Sequence, residues 1–359
     1  MVDGHKSFDQ SAEIALLLHM PIYYSGLVVE TTNRCNAKCA MCYQSASPKG
    51  SETLGLSSLD TDVIRRCIRE AADIETIGSR FHLAGGEAFM YLDDVYALFA
   101  EARDAGYEQI TGTTNGFWGR TLPKAREVCA RLRQSGVTSL ELSWDYWHQP
   151  FVSGDAVSNC LIACQEVEIE TNLRLLTTKQ HSMEEALAAL RPEAIDAASR
   201  MTSGPVFATG RAAKELDAEE FYHSRSSLDD NCHRVLNLTI NAFGHVFPCC
   251  AGFDQTRNYI MGDVKEERLD TIVERMNNDP LVRKIVFSGI RSLVPILQES
   301  GHDIDDQYFN ICHLCYTIFS TPEYVASLQA YMDNRKQESL TRIVAQLEQA
   351  AGSQGGQRI

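Results

Sequence analysis

Three cysteines fall within eight positions of "TTNRCNAKCAMCYQ" (residues 31–44): Cys35, Cys39 and Cys42. Cys-x3-Cys-x2-Cys in a short loop brings three thiolates onto one face of a small metal centre. Zinc is the alternative guest, since Cys-x2-Cys knuckles commonly bind it, but structural zinc wants four ligands. The next cysteine, Cys67, lies 25 residues further on, inside the helix-like "LDTDVIRRCIREAADIE". Three protein ligands and one open position suit a metal that must bind something exchangeable. In a [4Fe–4S] cluster that set leaves one iron free.

The flanking sequence narrows the choice. "SGLVVETTNRC" reads as a strand running into the loop, and about 40 residues later "IGSRFHLAGGEAFM" reads as another strand ending in Gly85-Gly86-Glu87. Strand, cysteine loop, helix, strand, Gly-Gly-Glu resembles the radical S-adenosylmethionine (SAM) superfamily. The resemblance gives the missing fourth ligand a reason. In that family the free iron chelates the amino and carboxylate groups of SAM, and an electron from the cluster releases a 5′-deoxyadenosyl radical. It also implies a cofactor-binding role for Gly85, Gly86 and Glu87, the glycines letting the backbone approach the methionine amino group because they lack a Cβ. One departure is that many members carry an aromatic residue just before the third cysteine. Here that position is Met41, and Tyr43 follows the cysteine.

Further strand ends recur at helix-sized intervals. "YEQITGTTNGFWG" closes on Thr113, Thr114 and Asn115, and "VTSLELSWDYWHQPFV" on Ser143, Trp144 and Asp145; "NLRLLTTKQ" and "GPVFATGRA" supply two more. Helical stretches with apolar spacing near 3.6 and a closing glycine lie between them. Alternating strands and helices imply a parallel α/β barrel, and the family builds a partial, TIM-like (β/α)6 barrel. Polar residues at strand ends are then candidates for SAM or substrate: Asn115, Ser143, Asp145, Arg174 and Arg211. Asp145 and Arg211 are preferred for the cofactor, Arg211 because "GRA" at 210–212 resembles a motif of relatives with an added cluster domain. A strand-end Ser or Asn also serves simply as a helix cap. Trp144, Tyr146, Trp147 and His148 would either wall the pocket or pack in the core.

A second cysteine set follows. "NCHRVLNLTINAFGHVFPCCAGF" holds Cys232, then Gly244 and Cys249, and reads as a hairpin; "ICHLCYTIF" adds Cys312 and Cys315. Cys-x11-Gly-x4-Cys with a distant Cys-x2-Cys resembles the twitch domain, the short relative of the SPASM domain. The resemblance implies one auxiliary [4Fe–4S] cluster on Cys232, Cys249, Cys312 and Cys315, in a small α+β module. A zinc ribbon is the competing use of four such cysteines. Cys250 abuts a ligand and is a candidate hydrogen-atom donor or a packed neighbour. Cys67, Cys129, Cys160 and Cys164 sit in helical patterns and are expected to be buried. The expected organisation is an extension over 1–23, the barrel over 24–214, the cluster module over 215–321, a helical segment over 322–349 and a disordered tail over 350–359.

Composition sets the outer limits. A chain of 359 residues, 44% hydrophobic, supports one large or two unequal domains. A net charge of -15 argues against a nucleic-acid partner. No stretch approaches the ~18 apolar residues of a membrane span, and the start lacks a signal peptide's features. A cytoplasmic enzyme with cysteines committed to metal is expected. The resemblance implies an oxidoreductase or isomerase of natural-product biosynthesis, with an external one-electron donor such as flavodoxin or ferredoxin. Only 34 residues precede Cys35, too few for a winged-helix leader-binding domain. That and the acidic charge point to epimerisation or dehydrogenation of a small polar substrate, a sugar, aminocyclitol or aminoglycoside. The alternatives are a ribosomal-peptide epimerase or cross-linking enzyme, and a non-catalytic iron–sulfur protein.

Overall fold

A computed structural model describes residues 20–223, 236–250, 252–304, 308–335 and 337–338. Six parallel strands follow one another in sequence and in space: β1 (Leu27–Glu30), β2 (Arg80–Ala84), β3 (Gln109–Thr114), β4 (Ser139–Ser143), β5 (Glu170–Thr177) and β6 (Arg200–Pro205). Helices cross between them, among them α1 (Thr61–Ala72), α2 (Leu92–Asp104), α3 (Leu122–Gln134) and α4 (Gly154–Glu166). This is the expected α/β half-barrel.

Each crossover is written locally. Asp60 caps α1 by accepting from the amides of Asp62 and Val63, and Ile64, Cys67, Ile68 and Ala71 then recur at helical spacing on the buried face. Thr121 and Ser153 cap α3 and α4 in the same way. The strands alternate as a pleated strand must. In β2, Phe81 and Leu83 pack under the helices with Phe99 and Tyr107. Arg80 and His82 lie on the other face, where His82 bonds the hydroxyls of Thr111 at 2.7 Å and Thr113 at 3.0 Å. The concave face of the sheet is therefore polar and the convex face apolar. Cys67, Cys129, Cys160 and Cys164 are fully buried among the helices, as expected.

Two details differ from the sequence reading. The sixth strand is Arg200–Pro205, not the "GPVFATGRA" stretch; Gly204 and Pro205 close it, and residues 206–211 leave the sheet to reach the cysteine loop. The hairpin after residue 235, β7 (Leu238–Ile240) and β8 (Val246–Phe247), does form, but it also continues the barrel sheet. β7 pairs in parallel with β1, with Leu27 opposite Leu238, giving the strand order β6-β5-β4-β3-β2-β1-β7-β8. β1 thus has a partner on both sides and is buried along its whole length. Later helices include α5 (Ile311–Ser320), capped by Asn310 and followed by a helical run over 322–335.

Candidate metal centre

The cysteine loop begins where β1 ends and is fixed first against the end of β2. The amide of Gly86 donates to Thr32 O at 2.6 Å and that of Glu87 to Arg34 O at 2.8 Å. A Cβ on Gly86 would stand 2.2 Å from Arg34 O, and one on Gly85, at φ +148°, 2.6 Å from Thr32 O. The two glycines are thus already demanded by the close approach of the chain that delivers Cys35. Glu87 is buried and accepts from the Thr114 hydroxyl at 2.9 Å, the Phe89 amide at 3.1 Å and the Asn115 amide at 2.7 Å. Burial pushes its carboxyl up to about 7, against those donors. Glu87 ties the ends of β2 and β3 together.

The far side of the loop is fixed by the segment after β6. Arg211 is 1% exposed, and its guanidinium donates to Cys39 O at 2.8 Å, Ser45 O at 2.8 Å, Ala46 O at 2.7 Å and Glu52 Oε2 at 2.9 Å. Its amide donates to Cys42 O at 3.0 Å. Gly210, at φ +57°, lies so close that a Cβ would come within 1.8 Å of Tyr43 O. The structure therefore shows Arg211, expected at the cofactor, spanning the cysteine loop from within. Met41 and Ala37 pack beside Trp147, Val206, Ala208 and Phe221 in a small apolar shell around the thiols.

Strand-end polar groups gather on the same side. Asn115 Nδ2 donates to Asn36 Oδ1 at 2.9 Å and stands 3.9 Å from Cys35 Sγ. Asp145, 1% exposed, accepts from His148 Nδ1 at 2.8 Å and the Trp147 amide at 3.1 Å, while its Oδ2 is buried without a partner. Burial alone would keep His148 neutral, but Asp145 and Cys39, to which its ring also bonds, hold it well above the usual range. His148 contacts the thiol loop, a role its place in an aromatic run did not announce. The rest of that run divides: Trp144 is core, bonded to Ala186 O at 2.8 Å, and exposed Tyr146 stacks on His181 at 3.5 Å. Arg174 lies 3.9 Å from Glu141 on the concave face, with Ser143 half-buried beside it on β4.

Cys249 and Cys250 follow β8. The loop beyond them rests on α5, the helix carrying Cys312 and Cys315: Phe253 stacks on Phe319 at 4.1 Å, and Asn258 Nδ2 donates to Phe319 O at 2.9 Å. Gly252 fits between Thr209 and Tyr316. Cys232 lies outside the described residues. Cys250 is half-buried; its thiol is pushed up to about 12, by burial first and then by Asp254 and Glu30.

Among the described residues no three His, Cys, Asp or Glu side chains gather as ligands of one ion. The first cysteine set fits an iron–sulfur cluster by its chemistry. It is all thiol, shielded by apolar side chains, and supplied with N–H donors to sulfur. The Ala37 amide reaches Cys35 Sγ at 3.4 Å, and the amides of Gln44 and Ala46 reach Cys42. The unpaired Asp145 Oδ2 suits a polar ligand placed beside it.

The family description "Radical SAM superfamily" matches residues 29–191, and "Iron-sulfur cluster-binding domain" (SPASM) matches residues 232–316. The chain is 25% identical over 328 residues to YydG of Bacillus subtilis (strain 168), whose name assigns it to peptide biosynthesis; the match covers 89% of this chain and 99% of YydG. The structure of native anSMEcpe with bound AdoMet and Cp18Cys peptide shares the fold at 12% identity and TM-score 0.50, covering 88% of this chain and 99% of that one.

Proposed function

We propose, from the radical SAM domain and the SPASM iron–sulfur domain that this chain carries, that it is an enzyme that inverts a carbon centre in a peptide. The likeness to YydG supports the peptide class. It favours that alternative over the sugar-like substrate suggested by net charge and the short stretch before Cys35. A radical SAM domain binds a [4Fe–4S] cluster and SAM, and a SPASM domain binds auxiliary iron–sulfur clusters. In this reading Cys35, Cys39 and Cys42 hold the first cluster, and Cys232, Cys249, Cys312 and Cys315 hold one auxiliary cluster. Asp145 and Asn115 would hold SAM, while Glu87 and Arg211 fix the cysteine loop beside it. SAM and the cluster, held there, would supply the radical chemistry that removes a hydrogen atom from the substrate.

What the chain's own residues add is the return of that atom. The observation carrying this step is the place of Cys250, a half-buried thiol in the loop after β8. It stands on the far side of β1 from the β2 end that braces the thiol loop. A protonated thiol has a hydrogen atom to give to a carbon radical, and an atom given from a different side than it was taken leaves the centre inverted. No base is needed and no atoms are lost from the peptide.

The test is anaerobic turnover in D2O with reductant, SAM and the peptide fraction of the source cells, read by mass spectrometry. A peptide gaining one deuterium at carbon, with its skeleton unchanged and the gain lost in Cys250→Ala, is expected. A peptide losing two hydrogens means oxidation or cross-linking and overturns inversion. Deuterium appearing only in a sugar or aminocyclitol of the whole extract overturns the peptide class.

A further inference from the structure

The solvent face of the cysteine loop differs in charge from the rest of the molecule. The chain carries a net charge of -15, yet residues 31–59 hold three cations, Arg34, Lys38 and Lys49, against one acid, Glu52. Within 31–50 the exposed residues are Arg34, Lys38, Pro48 and Lys49, and every other residue is buried or half-buried. Arg34 and Lys38 immediately precede two nearly enclosed thiols, Cys35 at 8% and Cys39 at 5% exposed. Glu52 does not cancel the patch. It meets Lys38 Nζ at 2.8 Å but also accepts from buried Arg211 at 2.9 Å, whose second carboxylate, Glu215, stands farther off at 3.8 Å.

The fold does not require these charges. Arg34 donates from Nε to Pro48 O at 3.3 Å and reaches the Tyr91 hydroxyl at 3.5 Å. Neither Arg34 nor Lys49 meets an acid among the described residues. The bond to Pro48 O brings Arg34 to the Pro48–Lys49 turn, so two like charges stand close with no acid between them. Their places are nevertheless fixed, because the Cys35 amide donates to Ser47 O at 3.0 Å and the Gly50 amide to the same carbonyl at 2.9 Å. Apolar surface adjoins them. Leu56, 57% exposed, lies so near that a Cβ on Gly50 would meet its Cα at 2.7 Å, and Tyr91 is 37% exposed. A fourth cation, Arg257, joins from the second module by donating to Leu54 O. Exposed apolar side chains among cations that lack partners, on a fixed loop, make a surface complementary to an acidic protein.

We propose that this face, through Arg34, Lys38, Lys49 and Arg257 together with Leu56 and Tyr91, docks a small acidic electron-carrier protein of the flavodoxin or ferredoxin class. The inference rests on Cys35, Cys39 and Cys42 holding the first cluster. The docked carrier gives up one electron and leaves oxidised, and the cluster is reduced by one; no bond is made or broken and no proton moves. Electron transfer falls steeply with distance, so the carrier must come close to the thiols. Here the docking face and the three cysteines belong to one short segment. The cations also draw an anionic carrier against the repulsion of a chain whose overall charge is negative.

Calorimetric titration of the cluster-loaded full chain with an oxidised flavodoxin, at low (~50 mM) and higher (~300 mM) salt, reads docking without turnover. The expected result is binding that weakens at the higher salt. At low salt it should weaken about five-fold for each reversed charge, in Lys49→Glu and in the double variant Arg34→Glu with Lys49→Glu. Arg133→Glu, in the last turn of α3 at the other end of the barrel, should bind as the wild type does. Three results overturn the proposal: no binding of a flavodoxin or a ferredoxin by the wild type, a double variant within about two-fold of wild-type affinity, or an equal loss in Arg133→Glu. Should the double variant fail to take up iron, Lys49→Glu alone is judged by the same titration. Electron paramagnetic resonance then follows cluster reduction, which in the double variant should be slow with reduced flavodoxin relative to dithionite, a small reductant that needs no docking. SAM cleavage with dithionite but no docking would overturn this inference and leave the radical reading standing. Absence of cleavage with dithionite in the wild type would instead remove the radical reading.

Discussion

Replacing Arg211 by alanine should unfasten the cysteine loop. Its guanidinium, 1% exposed, is the donor to three main-chain carbonyls, those of Cys39, Ser45 and Ala46. A hydrogen bond to a charged group contributes about 1.5–3 kcal/mol. Three at the lower limit amount to about 4–5 kcal/mol. The fourth contact, to Glu52, adds little, because that carboxylate is 41% exposed and exposed pairs contribute about 0–1 kcal/mol. Alanine also takes one donor from each carbonyl, although Cys39 O keeps the Cys42 amide and Ser45 O the Glu52 amide. A loss of about 4 kcal/mol is a large part of the ~5–15 kcal/mol that holds a typical domain together. Arg211→Lys keeps one charge but cannot fork to three carbonyls, and should fall between the two. The assay is iron and sulfide per chain after anaerobic reconstitution, read beside the denaturant midpoint. Arg211→Ala should lose about half or more of the cluster iron and shift the midpoint downward. A variant with unchanged midpoint and iron content would refute the bracing argument.

Gly210→Ala should be nearly as damaging, since the added Cβ would meet Tyr43 O at 1.8 Å at a left-handed φ; thermal unfolding should show a loss of at least ~2 kcal/mol. His82, held neutral by burial and then by Arg80 and lowered to about 3, binds a proton in the unfolded chain before the folded one. Stability should therefore rise with pH between about 3 and 6.5, by up to ~1.4 kcal/mol per unit. His82→Gln should flatten that slope in denaturation curves taken across the range. Cys312→Ala should retain part of its SAM cleavage, followed as 5′-deoxyadenosine, yet form no product in the turnover assay; full product formation would remove Cys312 from the auxiliary site.

The parts legible in the sequence were those set by short-range chemistry. Cysteine spacing, the Gly-Gly-Glu strand end and the hairpin turn before Cys249 each lie within a few residues of what they determine. The sixth strand was misplaced because "VFATG" has the composition of a strand, yet its residues are drawn out of the sheet toward the carbonyls of Cys42 and Tyr43, more than 160 positions earlier. Arg211 was singled out for the cofactor, and its bracing of the loop was not legible, because its acceptors are main-chain atoms that carry no sequence signature.

The pairing of β7 with β1 makes the barrel and the cysteine hairpin inseparable. A chain cut at residue 215 would keep every residue of the six-stranded barrel, yet would bare the edge of its most enclosed strand, with Leu27, Val28 and Val29 beside unpaired amides and carbonyls. Such a flat apolar edge recruits other chains. The shortened protein is therefore expected to aggregate rather than survive as a smaller radical enzyme. In this lineage loss of the second module would be a solubility defect before it was a chemical one.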